Sequence, residues 1–274
     1  MSQAAFAATT FQDDTGRSIT LIQPARRIIS LAPHVTELIY AVGAGVQLVG
    51  ADSASDFPAS AKNLPRIGDY SRLNFERVAG LHPDLAIGWT SGNRAADIDK
   101  LRQMGIPVLL TDAHRLTDVA RLLRLIGSVT AHPAAGEAAA RAFEADLGKF
   151  RAHHRSTPIR RVFYQVWDKP LMTIGGHHWI SDAIALCGGR NVFADLNAAS
   201  PVVSVEAVVA RMPEMIIGGS DAPDMRPMWQ RFSRLPAVQR NAVFQIDADA
   251  LHRPTPRLLA GVGALCDQIG RRAQ

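Results

Sequence analysis

The chain has 274 residues, 47% of them hydrophobic and 20% charged, with 30 Lys and Arg against 25 Asp and Glu and a formal charge of +5. Such values suit one large globular domain or two modest lobes, and they exclude disordered, collagen-like and coiled-coil classes. The positive charge is nearly all arginine and is scattered rather than blocked, so no nucleic-acid-binding arm is expected.

The chain opens on small and polar residues, and Ala5-Phe6-Ala7 fits the A-x-A pattern that ends a secretory signal. The expectation is an exported protein with its signal trimmed, residues 1–25 forming an N-terminal segment. A first lobe is expected over 26–132. Its strands are Arg27 to Leu31, Leu48 to Gly50, Leu85 to Trp89 and Pro107 to Thr111. Helices intervene at about Val35 to Val42, up to Met104, and Leu116 to Val129. Strands separated by helices of 10–15 residues imply βαβ units and a parallel sheet. The longest uncharged apolar run, Leu38 to Ala51, contains Gly43, Gly45 and Gly50 and falls short of the ~20 residues of a membrane helix.

From Pro133 to about His154 the chain is rich in Ala, Glu and Arg, with Phe143, Leu147 and Phe150 on one face. This spacing predicts a helix of about 22 residues, roughly 33 Å long. Residues 133–155 are therefore read as a linking helix and 156–274 as a second lobe. There the alternation restarts, with strands at Arg161 to Trp167, Leu171 to Ile174, Met215 to Ile217 and Ala242 to Ile246. Helices are expected at Ile180 to Cys187, Ser204 to Arg211 and Pro256 to about Arg271. A repeat links the halves. Glu76, Val78, Pro83, Asp84, Ile87 and Gly88 recur 130 residues later as Glu206, Val208, Pro213, Glu214, Ile217 and Gly218. Each copy reads as a helix that stops before proline and then a strand. The fold class expected is α/β, with two similar lobes, each with a central, mainly parallel sheet, joined by one long helix.

Motifs for chemistry are missing. The sequence has no dinucleotide or P-loop glycine pattern, no G-x-S-x-G elbow and no HExxH. His177-His178 reads as a polar turn rather than a metal site, and His153-His154 as capping residues at a helix end. No nucleophile–base pair assembles, so no enzyme and no metal centre are expected. Cys187 and Cys266 lie in apolar, helix-like segments and fit either two buried thiols or one long-range disulfide. Aromatic residues stand where open α/β sheets bind ligands, beyond the carboxyl ends of strands. Trp89 and Trp167 end strands, and Tyr70 sits in a Gly-Asp-Tyr-Ser turn.

Several segments together resemble the periplasmic binding proteins of metal-chelate ABC importers, nearest their cobalamin-binding branch. They are Arg27-Ile-Ile-Ser-Leu-Ala-Pro-His-Val-Thr-Glu-Leu38, Ser55-Asp-Phe-Pro58, Leu73-Asn-Phe-Glu-Arg-Val78, Leu81-His-Pro-Asp-Leu85, Leu186-Cys-Gly-Gly-Arg-Asn-Val-Phe193 and Pro254-Thr-Pro-Arg257. The resemblance implies the class III fold of two Rossmann-like lobes, a periplasmic location and a monomer. It implies capture of a corrinoid, cobalamin or cobinamide, in the cleft between the lobes and delivery to an ABC permease dimer. The chelate is cargo, so no resident cofactor is implied. Carried over by position, His34, Tyr70, Trp89, Asp249 and Arg253 fall on ligand-contacting positions, with Trp167 added from its place in the sequence. Glu76 and Glu206 fall on the permease-docking glutamates. Cys187 and Cys266 fall on the family's disulfide. The chain departs from the pattern at Ala54 and Ser200, where the family has pocket aromatics, and Tyr70 replaces a tryptophan. Haem binders of the superfamily use a tyrosine ligand in the loop of Tyr70, so haem, and then a ferric siderophore, is the alternative cargo.

Overall fold

The computed structural model describes residues 8–153, 159–220 and 223–270. The fold divides into two compact units. One comprises the chain up to Asp112 with Val119–Ala142, and the other Ala113–Asp118 with the chain from Phe143. One of the three chain boundaries between them, Ala142/Phe143, falls within one long helix.

The first unit begins with a hairpin of β1 (Thr9–Gln12) and β2 (Ser18–Leu21). Its turn is closed by Asp13, whose Oδ1 accepts from the Thr15 N–H (2.9 Å), the Thr15 hydroxyl (2.6 Å) and the Arg17 N–H (2.9 Å). The central sheet follows. Its strands are β3 (Ile28–Ser30), β4 (Leu48–Ala51), β7 (Leu85–Trp89) and β8 (Val108–Thr111), all parallel, in the order β4-β3-β7-β8. A small hairpin of β5 (Gly68–Asp69) and β6 (Arg72–Leu73) lies between β4 and β7 in sequence. The helices are α1 (Pro33–Ala41), α2 (Phe75–Gly80), α3 (Ala95–Gln103) and α4 (Asp118–Val129). Next comes α5 (Pro133–His153), which the Pro start and the Phe143/Leu147 stripe foreshadowed; His154 lies outside the described residues. The helices α4 and α5 touch backbone to backbone. A Cβ on Gly127 would lie 2.8 Å from the Gly136 Cα, so a side chain at either glycine would force the helices apart.

The second unit carries β9 (Arg160–Gln165), β12 (Gly189–Asn191), β13 (Met215–Gly219) and β14 (Val243–Ile246), again all parallel, in the order β12-β9-β13-β14. In both sheets the first strand in sequence lies second and the second lies at the edge. The two-residue strands β10 (Trp167–Asp168) and β11 (Leu171–Met172) pair antiparallel. The helices are α6 (Trp179–Leu186), α7 (Val205–Ala210), α8 (Arg226–Trp229), α9 (Pro236–Gln239), α10 (Ala248–His252) and α11 (Leu258–Gly270). The core gathers Phe163, Phe193 and Trp229, and the Trp229 indole N–H donates to Gln165 Oε1 at 2.8 Å. Inner strands β7 and β13 are buried along almost their whole length, as strands covered on both faces must be.

The sequence repeat is a structural repeat. In each copy an N-cap side chain, Asn74 or Ser204, accepts from the N–H three residues on. The helix then ends in a residue with positive φ, His82 at 46° or Met212 at 47°, just before proline. The acid after the proline receives backbone N–H groups from residues just before β3 or at the start of β9. Asp84 takes Arg26 (2.9 Å) and Arg27 (3.0 Å), and Glu214 takes Arg161 (3.0 Å).

Four expectations need correction. The strand expected over Leu171 to Ile174 ends at Met172. The strand expected over Arg161 to Trp167 ends at Gln165, because the Val166 N–H donates to Met172 O and turns the chain into the β10–β11 hairpin. Helix α4 starts at Asp118 rather than Leu116. Asp118 Oδ2 accepts from the N–H groups of His114 (2.8 Å) and Arg115 (2.9 Å), while the Leu116 N–H donates to Asp182 Oδ2 at 3.0 Å. The final helix begins at Leu258, two residues later than expected.

Candidate ligand and docking sites

In the first unit the structure brings His34 and Trp89 together. Pro33 opens α1, which places the buried His34 in the helix's first turn. Its ring meets the Trp89 indole edge to face, with centroids 5.3 Å apart and planes at 89°. Trp89 is the last residue of β7, at the carboxyl edge of the sheet. Its indole N–H donates to Asp112 Oδ1 at 3.2 Å, and its backbone N–H donates to Asn93 Oδ1 at 2.7 Å. Asn93 Nδ2 in turn donates to Leu31 O at 2.9 Å, tying the loop after β7 to the loop after β3. Gly92 lies against the benzo part of the indole, where a Cβ would come within 1.9 Å of Cε3.

Tyr70 is 75% exposed at the tip of the β5–β6 hairpin. The tip is set by Asp69, whose Oδ1 accepts from the Ser71 N–H (2.8 Å) and the Ser71 hydroxyl (2.6 Å). The Ser71 hydroxyl and the N–H groups of Ser71 and Arg72 hold the Asp69 carboxyl below its usual range. Within the second unit Trp167 is 47% exposed on β10, and its indole N–H donates to Lys169 O at 3.1 Å. Arg253, directly after α10, is buried, and its Nη2 donates to Asp249 Oδ1 one helical turn back, at 2.9 Å. The two residues expected at the second lobe's polar edge are thus one ion pair.

Glu76 and Glu206 hold matching places in the first turns of α2 and α7, and both are exposed. The Glu206 backbone N–H and the Ser204 hydroxyl hold the Glu206 carboxyl below the usual range. Cys187 and Cys266 form a disulfide that ties the C-cap of α6 to α11, closing the alternative of free thiols.

One cluster in the second unit went unforeseen. His178 is not part of a polar turn. It is the buried N-cap of α6, its Nδ1 accepts from the Ile180 N–H at 3.1 Å, and its ring lies on Trp179. Burial, with smaller contributions from His252 and His114, pushes it down to about 3, so it is neutral at pH 7. The hydroxyl of buried Tyr164 pairs with His252 Nε2 at 2.9 Å. His177 remains exposed. Among the described residues no group of three or more His, Cys, Asp or Glu side chains could hold a metal ion. No helix there is long and apolar enough to cross a membrane.

Known proteins resemble this chain along most of its length. The family model described as "Periplasmic binding protein" matches residues 28–250. The vitamin B12-binding protein of Vibrio parahaemolyticus serotype O3:K6 is 37% identical over 248 residues, 90% of each chain. The crystal structure of the periplasmic vitamin B12 binding protein BtuF of Vibrio cholerae superposes with a TM-score of 0.82 at 37% identity, covering 90% of this chain and 97% of that one. The apo periplasmic heme-binding protein RhuT from Roseiflexus sp. RS-1 gives 0.80 at 26% identity, covering 91% and 100%.

Proposed function

We propose that this chain, which belongs to the periplasmic binding protein family, captures a corrinoid in the periplasm and delivers it as a monomer to an ABC permease. The observation that carries this reading is the 37% identity to a vitamin B12-binding protein across 90% of both chains. The side chains suit the task. A large flat ligand with an amide-bearing rim is gripped by aromatic faces and oriented by polar groups around them. Trp89 supplies a flat surface in the first unit and Trp167 one in the second. Tyr70 offers a third, and the Asp249–Arg253 pair offers polar contacts for rim groups. His34 acts as a support for Trp89. The role is binding and release, with no bond made or broken in the cargo.

Haem is the second reading, favoured by one feature. Tyr70 presents its phenol to solvent at a hairpin tip, where it can reach a ligand's metal, and a heme-binding protein shares the fold. Calorimetric titration with cobalamin, cobinamide and haemin separates the two. The corrinoid reading expects saturable 1:1 binding of cobalamin or cobinamide, little changed by Tyr70→Phe. Binding of haemin alone, with a Soret band that Tyr70→Phe shifts, would replace it.

A further inference from the structure

Glu76 borders a cavity of about 580 Å³ inside the first unit, lined also by Asp69, Arg72, Asn74, Arg94 and Asp97. Asp97 is its unusual wall. It lies in the first turn of α3 and is only 7% exposed. Its carboxylate has no hydrogen bond or ion pair among the described residues, and its oxygens are not sealed from the cavity. A buried polar group without a partner is costly and normally finds one. Arg94, which lines the same cavity, turns elsewhere: its Nη1 donates to Ser71 O at 2.8 Å. The Glu76 carboxylate likewise has no partner among the described residues. Asp69 is held ionised by its turn. The lining thus holds three carboxyl groups, Asp69, Glu76 and Asp97, against the two guanidinium groups of Arg72 and Arg94, and none of the three is ion-paired among the described residues.

We propose that this cavity receives a lysine or arginine side chain of the permease, with Asp97 as the second carboxylate beside Glu76. The inference rests on the docking role read for Glu76 and Glu206. It makes the two docking points different in kind. Glu206 is an exposed carboxylate already fixed by Ser204 and its own N–H. Glu76 is the rim of a socket whose inner wall carries a buried carboxyl group. A basic side chain entering the socket satisfies Asp97 and loses its own hydration, so its fit depends on chain length and charge.

The test uses the full chain loaded with its corrinoid and the cognate permease in lipid nanodiscs, measuring docking affinity at several salt concentrations. Asp97→Asn should weaken docking about tenfold or more and flatten its salt dependence. Corrinoid affinity should stay at its wild-type value, and thermal melting should not fall. Glu206→Ala serves as the control for docking itself. If Glu206→Ala weakens docking and Asp97→Asn does not, the socket is wrong and the docking role stands. If neither Glu206→Ala nor Glu76→Ala weakens docking, the docking role fails and the socket with it. If Asp97→Asn lowers melting and corrinoid affinity together with docking, Asp97 is a structural residue and the proposal is overturned.

Discussion

Trp89 is fixed on several sides before any ligand arrives: by the His34 edge, by Gly92 against its benzo ring, and by Asp112 at its N–H. A preorganised surface loses less freedom on binding. Trp89→Ala should weaken corrinoid binding by about 1–3 kcal/mol, roughly 5- to 150-fold. Gly92→Ala should act in the same direction by displacing the indole, and calorimetry on both variants checks this. An unchanged affinity in Gly92→Ala would mean that the indole's position is immaterial. His178 supplies a second residue-level test. Its folded pKa, about 3, lies below the ordinary 6.5, so the unfolded state takes up the proton first as pH falls. Stability contributed by the neutral ring is complete above pH 6.5 and is lost downward toward pH 3, at about 1.4 kcal/mol per unit. Between pH 6.5 and 5, above most carboxylate titrations, His178→Asn should flatten the pH dependence of the urea midpoint. Parts of the candidate sites were legible as single residues, because Trp89 ends a strand and Glu76 and Glu206 open matching helices. The His34–Trp89 contact was not, since 55 residues separate the two. The burial of His178 was hidden as well, because a His-His pair reads as polar until a helix cap draws one ring inward.

At the scale of the element, the joint that leads into β7 and β13 is the best-marked feature of the chain. Proline stops a helix, an acid holds the start of the neighbouring strand, and a buried apolar run enters the sheet. Those requirements leave a mark in sequence, which is why the repeat was visible at a spacing of 130 residues. The joint also forces His82 and Met212 into the left-handed region, which costs a side-chain-bearing residue about 1–2 kcal/mol. Glycine relieves this and returns about 0.5–1 kcal/mol in unfolded-state entropy. His82→Gly and Met212→Gly should therefore each stabilise the protein by up to about 1 kcal/mol in chemical denaturation. Opposite signs at the two positions would show that the joints are alike only in outline. Other elements left weaker marks. The run from Val162 to Trp167 looks like one strand because every residue in it except Gln165 favours strands, and only pairing to Met172 breaks it. Edge strand β12 is spelled Gly-Arg-Asn and gives no apolar signal. The β1–β2 hairpin hides in a polar stretch whose register depends on one aspartate.

For the molecule as a whole, the covalent link is confined to one unit. The Cys187–Cys266 bond closes a loop across 79 residues, worth about 4 kcal/mol in the chain-entropy account. Titration of the unfolded, unreduced protein should find no thiol. Replacing both cysteines by alanine should lower stability by about that amount, with hydrogen-exchange protection lost in α6 and α11 and retained in β3, β7 and β8. Two reactive thiols in the native protein would contradict this. The placement of the bond also sets a timetable. A chain that crosses a membrane from its N-terminus presents β1 through β8 first, and these need no oxidation to fold. Cys187 then waits for Cys266, and until α11 has emerged it is a lone thiol open to wrong partners. The first unit can therefore mature during translocation, whereas the second is finished only by an oxidation event after nearly all of it has arrived. Shortage of oxidant during secretion should leave a chain half native and half protease-sensitive rather than uniformly unfolded.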